Sequence, residues 1–264
     1  MYLDGSILSD YFVAGVILLI IASFVAGFID SVAGGAGLVL VPSFILAGLP
    51  PQIALGQEKL VSTIGTIPAI FNFLKSRQIL WDYIFFGVPL ALLGSFAGAK
   101  FILFLDPNIV GKLIVVLMPI GLSISIMPKN KNNIKIEDVK FKRYFLYPFV
   151  FFIIGFYDGF FGPGTGSLLI LALHLIMKMS LLNASATSKI FNFASNIGAF
   201  IAFFMAGKML FLIGIPMAIA SMFGNYIGSH LTIKNGDKFI KPILFGMIFL
   251  LFLSLIYKYF IKTA

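Results

Sequence analysis

The sequence predicts an all-α integral membrane protein made of two five-segment repeats, each with a short helix that starts at a glycine break. Three observations predict it. Sixty per cent of the 264 residues are hydrophobic and only 11% are charged, with a mean hydropathy of +1.05, whereas a soluble domain carries roughly 25% charged residues. Ten apolar stretches follow one another along the chain. A glycine-rich phrase, Gly27-Phe28-Ile29-Asp30-Ser31-Val32-Ala33-Gly34-Gly35-Ala36-Gly37, returns in the second half as Gly155-Phe156-Tyr157-Asp158-Gly159-Phe160-Phe161-Gly162-Pro163-Gly164-Thr165-Gly166.

The repeat sets the domain boundaries. The two aspartates lie 128 residues apart and the last glycines of the two phrases 129. Beyond them the offset settles at 130, pairing Ala54 with Ala184, Lys59 with Lys189, Gly94 with Gly224 and Gly98 with Gly228. Residues 1–127 form the first membrane repeat, 128–143 a basic linker and 144–264 the second repeat. Matched halves with glycine-broken apolar segments are the pattern of secondary transporters.

In order, the apolar stretches cover 11–29, 36–49, 52–74, 82–104, 108–127, 144–161, 165–178, 182–206, 209–232 and 240–261. Most are long enough to span, since about 20 helical residues cross a ~30 Å hydrocarbon core. The stretches 36–49 and 165–178 are too short: about 14 residues reach roughly 21 Å. Each begins directly after a glycine cluster, as a half-helix or a steeply buried helix does. Asp4 and Asp10 stand where a signal peptide has basic residues, so the first helix is expected to stay.

Loop charges orient the chain. The 128–143 connection holds Lys129, Lys131, Lys135, Lys140, Lys142 and Arg143, and Lys234, Lys238 and Lys241 follow the ninth stretch; both regions are expected on the cytoplasmic side. With an odd number of crossings per half the repeats are inverted and the acidic N-terminus lies outside. With only the short segment re-entrant, the halves run parallel and the N-terminus lies inside. The paired long and short segments around each glycine cluster favour inversion.

Composition also excludes. The chain has no cysteine and two histidines, so disulfides and thiolate metal sites are out, and no metal site or cofactor is expected. His174 and His230 have no counterparts in the other half; the first is expected to pack or cap and the second to sit near an interface. No HExxH, G-x-S-x-G or cofactor fingerprint occurs, which speaks against an enzyme. The net charge of +9 belongs to membrane orientation rather than to nucleic acid.

The glycine clusters point to an anion. A helix that starts inside a membrane directs free N–H groups and a partial positive charge at its start, and glycine lets a ligand approach the backbone. Gly34, Gly35, Ala36 and Gly37, with Gly162, Gly164, Thr165 and Gly166, are therefore candidate anion-binding positions; Gly37 and Gly166 are expected to stand between helix start and ligand, at positive φ. Close helix packing is the alternative role for such glycines. A second polar set repeats at offset 130: Lys59, Ser62 and Thr66 answer Lys189, Asn192 and Asn196, each at helical positions 0, 3 and 7 on one face. Charged side chains inside a membrane mark function by default. Here the competing reading is snorkelling to the headgroups. Asp30, Glu58 and Asp158 complete the intramembrane ionisable groups. They either pair with the lysines or titrate and couple transport to protons.

These residues also resemble a known family. Gly27-Phe-Ile-Asp30, Gly34-Gly-Ala-Gly37, Val41-Pro42, Gly48-Leu-Pro50-Pro51, Ala54-Leu-Gly56 and Lys59, echoed by Gly155-Phe-Tyr-Asp158-Gly, Gly162-Pro-Gly-Thr-Gly166-Ser, Ala184, Ser188-Lys189 and Asn192, resemble the TauE/SafE, or sulfite exporter, family across nearly the whole chain. The resemblance implies a bacterial or archaeal inner-membrane permease for sulfite, sulfonates or related small organosulfur anions. Two positions depart from the family's usual pattern: Ala36 replaces a glycine, and Glu58 replaces a small polar residue. Residue chemistry alone implies a carrier for a small anion, with an anion channel as the competing class.

Overall fold

The structure, a computed structural model, describes residues 6–81, 84–126 and 147–235. These residues are helical, with no strand among them. A short turn, α1 (Ile7–Asp10), precedes α2 (Phe12–Ala33), α3 (Ala36–Ala47), α4 (Pro51–Gly65), α5 (Ile67–Lys75), α6 (Ile84–Leu103) and α7 (Pro107–Ile126). The second half supplies α8 (Tyr147–Phe160), α9 (Thr165–Leu171), α10 (Leu181–Met205) and α11 (Phe211–Asn235). A π-helical turn, Ala172–Ile176, continues α9. The expected linker 128–143 and the tenth stretch 240–261, with Lys238 and Lys241, lie outside the described residues.

The two short helices occur where the glycine clusters place them. α2 ends when Gly34 turns left-handed at φ 74° and its N–H bonds back to Asp30 O at 2.8 Å. In the second half two left-handed glycines, Gly162 (φ 91°) and Gly164 (φ 88°), make the same break and absorb its extra residue. One expectation fails. The stretch 52–74 is not a single helix but α4 and α5, broken at Thr66. Pro68 is the cause, because it cannot donate to the carbonyl four residues back and its ring crowds that turn. The later left-handed residues recur in register: Gly48 (φ 110°) and Lys178 (φ 60°), Arg77 (φ 53°) and Gly207 (φ 65°), each pair 130 residues apart.

The halves exchange partners. α2 packs against α11 and α6 against α8, the two most extensive helix pairings. Both are made close by glycine: a Cβ at Gly94 or Gly98 would overlap the carbonyls of Phe152 and Phe156, and one at Gly224 or Gly228 those of Phe24 and Phe28. Such small-residue contacts let membrane helices approach without a hydrophobic drive between them. Two polar clamps cross as well. The Gln57 side chain donates to Leu210 O at 3.0 Å and accepts from Leu210 N at 3.0 Å, while Thr187 Oγ1 accepts from Leu80 N at 3.1 Å.

Polarity is turned inside out relative to a soluble protein. Leu212 is 85% exposed and Phe85 78%, whereas Lys59 and Lys189 are 1% and 0% exposed. Among the described residues, four helices are long and apolar enough to cross a membrane. A surface of exposed leucine and phenylalanine suits lipid, and the buried charges must then be satisfied inside the fold.

Candidate functional site

The two helix breaks meet. Ser167 N donates to Gly34 O at 3.0 Å, and its hydroxyl donates to Ala33 O at 2.6 Å. A Cβ at Gly34 would overlap the backbone of Gly166, so the crossing is backbone against backbone. Gly37 lies beside Pro163, whose Cα would be 3.1 Å from an added Cβ. The second break is braced internally: Tyr157 Oη donates to Pro163 O at 2.8 Å, and Thr165 Oγ1 to Gly162 O at 2.6 Å. Positive φ falls on Gly34, Gly162 and Gly164 rather than on Gly37 and Gly166. The reason is that the latter two already belong to the first turns of α3 and α9.

Four helices bring the polar side chains to this crossing. Asp30 and Asp158 lie in the last turns of α2 and α8, just before the breaks, and α4 and α10 present the lysines. The pairing is crossed between halves. Lys59 Nζ donates to Asp158 Oδ1 at 2.9 Å and to Asn196 Oδ1 at 3.2 Å, and lies 3.0 Å from Glu58 Oε2. Lys189 Nζ donates to Asp30 Oδ2 at 3.0 Å and also to the Asp30 carbonyl. Ser195 Oγ donates to Asp158 Oδ2 at 2.7 Å, and Ser62 Oγ to Glu58 Oε1 at 2.8 Å. Both lysines are thus buried and paired, not extended toward headgroups. A buried charge is tolerated when it is paired and hydrogen-bonded in this way.

A small cavity opens between the breaks. Asp30, Gly34, Gly35, Ala36, Gly37, Glu58, Ser62, Asp158, Gly162, Gly164, Thr165, Gly166, Asn192 and Asn196 line it. Its free space holds about one water molecule. Among the described residues the N–H groups of Gly35, Ala36, Gly37 and Gly166 meet no acceptor, as expected for first helical turns. The free amides, the two carboxamides and the nearby Lys59 ammonium are donors of the kind an oxyanion takes, and they face the carboxylates of Asp30, Glu58 and Asp158 on the same wall. Sequence reasoning placed these groups together with three differences. Thr66 is not at the cavity; its hydroxyl donates to Ser62 O at 2.8 Å at the α4–α5 joint. Lys59 and Lys189 stand behind the carboxylates rather than on the wall. Ser167 and Ser195, which hold the crossing and Asp158, were missed. Both are serines with no matched polar partner to single them out. His174 is buried and its Nδ1 lies 2.7 Å from Met179 O, closing the turn after the π-helical segment; His230 is exposed.

Comparison with known proteins fits this architecture. Residues 19–255 match the family model described as sulfite exporter TauE/SafE. A "probable membrane transporter protein" of Haemophilus influenzae is 34% identical over 241 residues, covering 91% of this chain and 94% of the relative. The Escherichia coli K12 "probable membrane transporter protein YfcA" is 32% identical over 231 residues, with 86% and 84% covered. The "probable membrane transporter protein ORF9" of a Sinorhizobium species is 35% identical over 232 residues, with 86% of each covered. No solved structure matches the chain significantly. A helical membrane protein whose two broken halves interlock, matched over most of its length by this model and by membrane transporters, belongs to the sulfite exporter TauE/SafE family.

Proposed function

We propose that the chain is a secondary transporter for a small anion, of the sulfite, sulfonate or related organosulfur class, bound where the two breaks meet. The cavity carries this reading: it joins unused helix-start amides from both halves to Ser62, Asn192 and Asn196, with the Lys59 ammonium directly behind the lining carboxylates Glu58 and Asp158. The sulfur chemistry rests on the family's description. With room for about one water, the cavity must widen to take such an anion, and the crossed pairs Lys59–Asp158 and Lys189–Asp30 are the contacts that change when the halves shift. A carrier of this kind exchanges anion, whereas a channel needs a continuous polar pore. Proteoliposomes loaded with unlabelled sulfite are expected to accumulate external labelled sulfite transiently and saturably. Labelled anion that equilibrates without such counterflow is the result of a channel.

The repeats run in opposite directions across the membrane, with the N-terminus outside. α2–α3 and α8–α9 touch where their breaks cross and share no extensive packing along their lengths, the arrangement expected of hairpins that enter from opposite faces. The loop lysines favour the same orientation. Asp10 is exposed ahead of α2, and the native chain has no cysteine. An Asp10→Cys variant is expected to react with an impermeant maleimide from the external side; reaction from the cytoplasmic side alone supports parallel repeats instead.

A further inference from the structure

Three carboxylates, Asp30, Glu58 and Asp158, line the cavity, and among the described residues two ammonium groups, Lys59 and Lys189, reach them. The excess is local to the first half. At offset 130 the counterpart of Glu58 is Ser188, which donates to Ser185 O at 2.7 Å and carries no charge. The three carboxylates are not held alike. Asp158 uses both oxygens, one on Lys59 and one on Ser195. Asp30 has Lys189 to itself at 3.0 Å. Glu58 shares Lys59 with Asp158, and its Oε2, although 3.0 Å from that ammonium, makes no hydrogen bond among the described residues.

We propose that Glu58 carries a proton that enters and leaves the cavity together with the anion, so that the carrier couples anion movement to protons. This rests on the anion-site reading above. An anion added to three carboxylates and two ammonium groups leaves the enclosed cavity with two uncompensated negative charges, and a partly buried site screens them poorly. One proton taken up at Glu58 removes one of them. Protonated Oε2 also becomes a hydroxyl donor beside the cavity, where the carboxylate could only accept. No other group facing Glu58 serves equally: Asp158 on α8 and Asp30 on α2 stand in complete ion pairs, and Lys59 and Lys189 are those pairs' cations. The remaining elements packed on α4 bring no titratable side chain to the cavity. α3 has none, while Lys75 on α5, Lys112 on α7 and Tyr226, His230 and Lys234 on α11 are exposed. Lys208, half-buried, packs its backbone on Gly56 away from the cavity, and Tyr157 on α8 spends its hydroxyl on Pro163 O.

The test is isothermal titration of purified protein with methanesulfonate and with thiosulfate, neither of which titrates near neutral pH, in buffers of different ionisation enthalpy. Wild type is expected to take up about one proton per anion bound, so affinity weakens as pH rises, by up to about tenfold per pH unit. Glu58→Gln, and Glu58→Ser as the counterpart of Ser188, are expected to bind with little proton uptake and a flat pH profile. Binding by wild type without proton uptake, or undiminished uptake in both variants, overturns the coupling while leaving the anion site standing. Failure of wild type to bind either anion overturns the site and the coupling together.

Discussion

Alanine at Gly166 is expected to lower the melting temperature of the purified protein steeply, while alanine at Gly37 leaves it near that of wild type. Both glycines end the repeated phrase, and in sequence they are equivalents. In space they are not. A Cβ at Gly166 would sit 2.5 Å from Gly34 Cα, a backbone atom that cannot swing aside. The chains must part, and the bonds from Ser167 to Gly34 O and Ala33 O stretch with them. Overpacking costs about 1–3 kcal/mol and each lost buried hydrogen bond about 1 kcal/mol more, so a loss on the order of 3 kcal/mol or more is expected. Gly34→Ala should be at least as severe, because φ 74° adds backbone strain to the overlap. At Gly37 the nearest atoms are Pro163 Cα at 3.1 Å and Pro163 N at 3.2 Å, which a shift of a few tenths of an ångström relieves. Equal melting of Gly37→Ala and Gly166→Ala would show that the breaks do not cross at Gly34 and Gly166.

That contrast shows what the sequence could and could not carry. The breaks themselves were legible, because glycine clusters interrupt two otherwise apolar runs and leave segments too short to span. Their two roles were set against each other as alternatives, packing or anion site. The structure assigns both roles by residue: Gly34 is a contact position, Gly35, Ala36 and Gly37 keep amides free at the cavity, and Gly166 does both. Gly94, Gly98, Gly224 and Gly228 served only to mark the repeat, and their part in close helix approach emerged only when α6 met α8 and α2 met α11. The α4–α5 break was signalled by Pro68, but the apolar run continues through it and hides the joint. Ionisable residues could be chosen from burial cost alone. Their partners could not, because nothing in the spacing says that Lys59 reaches Asp158 in the other half rather than Asp30 in its own. That choice is made by the crossed packing of the halves.

Lys59 is expected to hold the anion and not merely to serve as the counter-ion of Asp158. Lys59→Met alone leaves Asp158 and Glu58 without their cation, and breaking a buried pair in this way costs about 3–5 kcal/mol; the variant is expected to melt early whatever it binds. Adding Asp158→Asn removes one of the two stranded carboxylates and keeps the cavity's net charge that of wild type, so the double variant should recover part of the lost stability. It still lacks the ammonium donor beside Gly162, whose added Cβ would lie 2.8 Å from Lys59 Nζ. Loss of one charge-assisted hydrogen bond is worth on the order of 1.5–3 kcal/mol, or about tenfold to a hundredfold in affinity. The deciding measurement is the anion affinity of Lys59→Met/Asp158→Asn beside its melting temperature. A double variant that melts later than Lys59→Met but binds sulfite about tenfold to a hundredfold more weakly than wild type is the predicted result. A double variant with wild-type affinity would reduce Lys59 to a structural cation and move the anion elsewhere.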